Sequence, residues 1–100
     1  MKTQLINHYS QLIIERVQKE MIDNESENGS IEYEIANYQF NIDFTGSIKT
    51  NYSTELSESS TIKEYINSID VTCVWGQDDR LLTNVRKALD NEIYRLILKM

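Results

Sequence analysis

The sequence predicts an α+β domain in which a three-stranded antiparallel sheet is flanked by N- and C-terminal helices, both on one face. Three observations carry this. Apolar residues recur at helical spacing near each end of the 100-residue chain. Between them, apolar and polar residues alternate in three runs, the period of strands half-buried in a sheet. The connections are polar, the strand order suits a meander, and 100 residues make one single-domain unit, 1–100.

Residues 3–22 form the first predicted helix. Leu5, Ile6, Tyr9, Leu12, Ile13, Val17 and Met21 fall on one stripe, and Thr3 offers an N-cap. Asp23 to Ser30 is polar, and Asn28-Gly29 suits a positive φ, so the helix should stop there. Ile31, Tyr33 and Ile35 then alternate with Glu32 and Glu34, and Phe40, Ile42 and Phe44 alternate with Asn41 and Asp43. The parity changes between the two runs, as a hairpin requires. A two-residue loop at Asn37-Tyr38 pairs Ile35 with Phe40, Tyr33 with Ile42 and Ile31 with Phe44. In that register Glu32 faces Asp43. The second strand can run past a bulge at Gly46 to Ile48.

Residues 50–61, TNYSTELSESST, read as a polar loop. Ile69, Val71, Cys73 and Trp75 alternate with Asp70, Thr72 and Val74 as a third strand, which places Cys73 on the buried face. The stretch before it has two readings. Thr61 and Glu64 fit a capping box with a helical face behind it, and the same residues extend the strand from about residue 62 with a kink near Asn67. The strand is preferred. Gly76 to Asp79 is a turn. Residues 83–99 form the second helix, capped by Thr83, with Val85, Leu89, Ile93, Leu96 and Ile97 as its stripe.

Charge is unevenly distributed. The formal net charge is −6, yet residues 20–79 carry thirteen carboxylates against Lys49 and Lys63, a net −11. From Glu20 to Ile48 there is no positive residue. Phosphate attraction is therefore unfavourable overall, and direct nucleic-acid binding is not expected. The order α-β-β-β-α resembles that of double-stranded RNA-binding domains, in architecture only, and Arg80, Arg86 and Lys87 do not make their lysine cluster. No apolar run approaches the ~20 residues of a membrane span. A single cysteine excludes an internal disulfide and suits a reducing, cytoplasmic setting. Catalysis is not expected either: His8, the one histidine, has no reason to meet Cys73. There is no phosphate loop, dinucleotide fingerprint, zinc spacing or twelve-residue calcium loop, so no cofactor or metal is expected.

The carboxylates remain. Glu32, Glu34, Asp43 and Asp70 fall on the polar face of the predicted sheet. Glu25 and Glu27 lie in the connector before it, and Asp78 and Asp79 in the turn after it. An acidic sheet face confers solubility and discourages edge pairing. It can also complement a basic protein surface, with association that weakens as salt rises.

A short, acidic, proline-free chain ordered α-β-β-β-α around the hairpin "IEYEIANYQFNIDF" resembles, in outline, small proteins of phages and mobile elements, the anti-CRISPR proteins among them. That resemblance implies a protein-binding inhibitor whose partner is a basic protein, such as a CRISPR effector or another nucleic-acid-binding protein. It carries no residue-level motif. The alternative is a small structural or self-associating module, a homodimer in the second case, whose acidic face serves solubility.

Overall fold

The computed structural model describes residues 3–52, 60–76 and 82–99. The elements run α1 (Thr3–Asn24), β1 (Asn28–Ile35), β2 (Tyr38–Tyr52), β3 (Ser60–Trp75) and α2 (Thr83–Leu98). The strands form one antiparallel sheet in the order β1-β2-β3. The predicted α+β class and element order are those observed.

Both helices lie on one side of the sheet because each element has one apolar face. From α1 come Ile6, Tyr9, Ile13, Ile14, Val17 and Met21. The strands supply Ile31, Phe40, Ile42, Phe44, Ile69, Val71 and Val74, and α2 supplies Leu89 and Ile93, all buried in one cluster. Tyr9 of α1 packs edge-on to Phe40 and tilted to Tyr38, with ring centroids 6.1 Å apart in both cases. No helix among the described residues is long and apolar enough to cross a membrane.

Several local expectations are corrected. The hairpin loop is Ala36-Asn37, not Asn37-Tyr38. The pairs are Ile35 with Tyr38, Tyr33 with Phe40 and Ile31 with Ile42. Ala36 takes a φ of +54° to turn the chain. Packing of Tyr38 on Tyr9 and Phe40 favours this register, because it keeps Tyr38 in the ladder. Helix α1 ends one turn before Gly29. Glu25 adopts the positive φ of +50° there, and Gly29 is a β1 residue without one. Asp23 is thus helical, and the connector after it is held by backbone bonds: the Ser26 N–H donates to the Met21 carbonyl (3.1 Å), and the Gly46 N–H to the Glu27 carbonyl (2.7 Å).

The segment read as a loop at 50–61 is partly strand, since β2 continues to Tyr52 and β3 starts at Ser60; residues between them lie outside those described. The 62–67 stretch is strand, and its kink is a bulge at Asn67, where Thr45 pairs with Ser68 but Gly46 with Ile66. Beyond Thr45, β2 has no β1 partner, and β2 and β3 continue as a two-stranded ribbon to the Tyr52–Ser60 pair. A second bulge falls at Thr72-Cys73, between the pairs Ile42–Val71 and Asn41–Cys73. It reverses the parity of β3, so Val74 enters the core and the half-buried Cys73 and Trp75 stand on the opposite face, contrary to the simple alternation. Thr83 is the first helical residue of α2, not its cap. Leu82 holds the N-cap position without a side-chain bond, and its N–H donates to the Val74 carbonyl (2.8 Å).

Ser10 is fully buried on α1, and its hydroxyl meets no partner among the described residues. A buried hydroxyl without a hydrogen bond forfeits its hydration for nothing. Ser10→Ala is therefore expected to stabilise the fold by about 1 kcal/mol, read as a higher urea midpoint at unchanged slope. A lower midpoint would show that the hydroxyl is satisfied in solution.

Candidate functional site

The face of the sheet turned away from the helices is built by the strand alternation that fills the core. Its rows follow from the register: Glu34, Gln39 and Trp75; then Glu32, Asn41 and Cys73; then Ser30, Asp43 and Asp70; then Asn28, Thr45 and Ser68. Glu32, Glu34, Asp43 and Asp70 are all exposed. Four sequence-predicted site residues are therefore brought onto one surface, spanning about 13 Å along the strands at the usual rise per residue.

The register changes which charges meet. Glu32 faces Asn41, not Asp43 as the predicted hairpin had it. On the β1 side Asp43 faces Ser30; on the β3 side, a pairing the hairpin reading did not address, it sits opposite Asp70, a like-charged pair that costs a few tenths of a kcal/mol. The Ser30 hydroxyl donates to Asp43 Oδ1 (2.6 Å) and satisfies part of that carboxylate. The Thr45 and Ser68 hydroxyls bond each other (2.7 Å), and the Thr72 hydroxyl donates to the Asn41 carbonyl (3.0 Å), so the small polar residues of this face tie its strands together.

Cations do not come to this surface from the helices. The ion pairs among the described residues are Arg16–Glu20, Arg86–Asp90 and Arg95–Glu92, each within one helix. None reaches Glu32, Glu34, Asp43 or Asp70. Lys49, farther along the ribbon, lies 5.4 Å from the centre of the Tyr65 ring. Of the other predicted residues, Glu25 and Glu27 are exposed at the α1–β1 connector, and Asp78 and Asp79 lie outside the described residues. His8 is exposed on α1 next to Tyr9, in the helical layer, whereas Cys73 is on the open face. The two cannot form a nucleophile pair. No group of three or more histidine, cysteine or carboxylate side chains among the described residues is placed to hold a metal ion.

Two features of this region escaped sequence reasoning. One is the outward Trp75 and Cys73, hidden because the run Val71 to Trp75 is apolar on both parities. The other is the contact between α2 and the β3 edge. Asp90 Oδ1 accepts the Val71 N–H (2.7 Å), and its Oδ2 accepts from Arg86 (3.1 Å). Burial raises the Asp90 pKa above the ordinary carboxylate value, helped by nearby Asp70; the Val71 N–H and the Arg86 guanidinium oppose the rise. The direction sets a sign. A raised folded-state pKa means the native protein binds the proton more tightly, so stability from Asp90 is present at acid pH and is lost as pH climbs through the folded value. Asp90→Asn keeps an oxygen for Val71 and has no proton to lose. The stability difference should therefore move in the variant's favour as pH rises from about 4 to 7. Urea melts of both proteins across that range check this, and a difference moving the other way would contradict it. Glu92 is shifted down instead, chiefly by the Arg95 hydrogen bond, with Asn7 of α1 also donating to it (3.3 Å).

No protein-family model matches the chain, and comparison with curated proteins and with solved structures returns no match.

Proposed function

We propose that this chain is a non-enzymatic protein-binding module whose open sheet face docks on a basic surface, in the manner of a phage or mobile-element inhibitor directed at a nucleic-acid-binding protein such as a CRISPR effector. One observation carries the reading: Glu32, Glu34, Asp43 and Asp70 are displayed together on an uncovered face, and no described cation pairs with them. Retaining the Asp43–Asp70 repulsion costs stability, which favours a role for the charge beyond folding. A groove that grips phosphates with lysine and arginine offers the complementary field.

Competition tests this. A purified CRISPR effector nuclease with fluorescently labelled guide or target nucleic acid is titrated with the protein, and anisotropy reports displacement. The proposal expects displacement that weakens steeply as salt rises. Binding that ignores salt, or that leaves the nucleic acid in place on every basic partner tried, would overturn it.

A further inference from the structure

Strand β3 is an edge of the sheet, and its outward backbone is protected along only part of its length. The Leu82 N–H covers the Val74 carbonyl (2.8 Å). At Val71, Asp90 covers the N–H (2.7 Å), and an Arg86 guanidinium nitrogen lies 3.5 Å from the carbonyl oxygen. Between Ile69 and Val71 the ladder is regular, since Phe44, Asp43 and Ile42 pair in turn with Ile69, Asp70 and Val71. Backbone groups two residues apart on a strand point the same way. The N–H and C=O of Ile69 therefore face the same edge as those of Val71, and no described residue meets them.

In front of Ile69 is a groove of about 300 Å³ between β3 and α2, lined on the strand side by Ile69 and Asp70 and on the helix side by Tyr94, Ile97 and Leu98. Tyr94 is 66% exposed and Leu98 68%, large apolar surfaces that the core does not use. Asp90 also lines the groove but is already paired with Arg86. Asp70 has no ion-pair partner among the described residues.

We infer that this groove takes an extended, cationic segment of a partner protein by pairing it with the β3 edge at Ile69, between the Asn67 bulge and the covered Val71. Strand addition supplies main-chain hydrogen bonds, and pockets for alternate side chains set the preference. A residue opposite Ile69 would bond both its N–H and its C=O, with its side chain on the helix side against Tyr94, Ile97 and Leu98. That position calls for an apolar residue. The next residue, opposite Asp70, turns to the open face, where a lysine or arginine meets the unpaired carboxylate at cross-strand distance. The preferred segment is thus short and alternates apolar with cationic residues. Asp70 is the one residue shared with the proposed docking face. Failure at the groove leaves the open-face reading standing, and the reverse holds too.

The test uses the full chain, isotopically labelled, and short blocked peptides alternating valine with lysine or valine with glutamate. The lysine peptide should shift the amide resonances of Ile69, Asp70, Tyr94 and Leu98 saturably. Tyr94→Ala, an exposed position, should weaken binding about tenfold, and Asp70→Asn about threefold. A lysine peptide N-methylated at its valines should not bind. The Glu32→Lys/Glu34→Lys variant should show its shifts at the same β3 and α2 residues. The inference is overturned if no resonance shifts, if the glutamate peptide binds as well, or if the shifts fall on Glu32, Glu34 and Asn41. Pairing of the β3 edge with a second copy of the chain, seen as a concentration-dependent dimer that excludes the peptide, would overturn it as well.

Discussion

Gly46→Ala should destabilise the protein by about 3 kcal/mol, a large part of the 5 to 15 kcal/mol typical of a domain. A Cβ built at Gly46 would lie 2.4 Å from the Tyr65 carbonyl oxygen and 2.5 Å from Met21 Cε. The methionine tip can swing aside. The carbonyl oxygen belongs to β3, and moving it means parting β2 from β3 next to the Asn67 bulge. Close backbone approach is the reason for glycine here, since Gly46 has no positive φ. Gly29→Ala is the control: its Cβ would come within 3.2 Å of the tip of the Phe44 ring, a side chain that can yield. Its cost should be clearly smaller. Urea unfolding of the two variants measures the contrast, and equal costs would contradict this account of Gly46.

Phe40→Ala should cost about 3 to 5 kcal/mol. Phe40 is fully buried on the central strand, opposite Tyr33 on one side and Val74 on the other. Its ring meets Tyr9 of α1 edge-on at 6.1 Å and Tyr38 at 6.3 Å. Truncation removes apolar burial and leaves a cavity that β2, held by ladders on both edges, cannot close. Because the ring joins α1 to the sheet, the loss should appear in both far-ultraviolet and near-ultraviolet signals at one shared midpoint. Leu5→Ala, at a position 43% exposed, should change the midpoint little. A Phe40→Ala protein as stable as its parent would refute the placement of this core.

The fold class was legible because alternation with period two and stripes at helical spacing report which face is buried, whatever the exact pairing. The register was not. Pairing Tyr33 with Ile42 or with Phe40 puts the same residues on the same face, so alternation cannot separate registers two residues apart. Asparagine's tolerance of positive φ pointed to Asn37-Tyr38. In the structure Tyr38 stays in the ladder, tilted against Tyr9, and Ala36 takes the positive φ. The β3 bulge was invisible for a related reason: Val71, Cys73, Val74 and Trp75 offer apolar residues on both parities. The four face carboxylates survived these errors because a shift of two residues keeps every side chain on its face. What changed was the neighbour: across the hairpin Glu32 meets Asn41 and Asp43 meets Ser30, while the like-charged contact of this face, Asp43 with Asp70, lies between β2 and β3, whose register no hairpin pattern specifies. The partly capped β3 edge depends on Arg86 and Asp90 reaching across from α2, a contact between distant elements that no local pattern announces.

Under the proposed docking, the position of charge on the open face, not the net charge of −6, sets affinity for a basic partner. Two double reversals separate these. Glu32→Lys/Glu34→Lys and Glu15→Lys/Asp23→Lys each move the net charge from −6 to −2, and all four residues are exposed. The first pair lies on the sheet face and the second on α1. Affinity for one purified CRISPR effector nuclease, measured side by side by calorimetry, should fall at least about tenfold for the strand variant, a loss near 1.4 kcal/mol. It should stay within about twofold for the helix variant, the size of a long-range screened effect. Equal losses in the two variants, or none in the strand variant, would contradict the account.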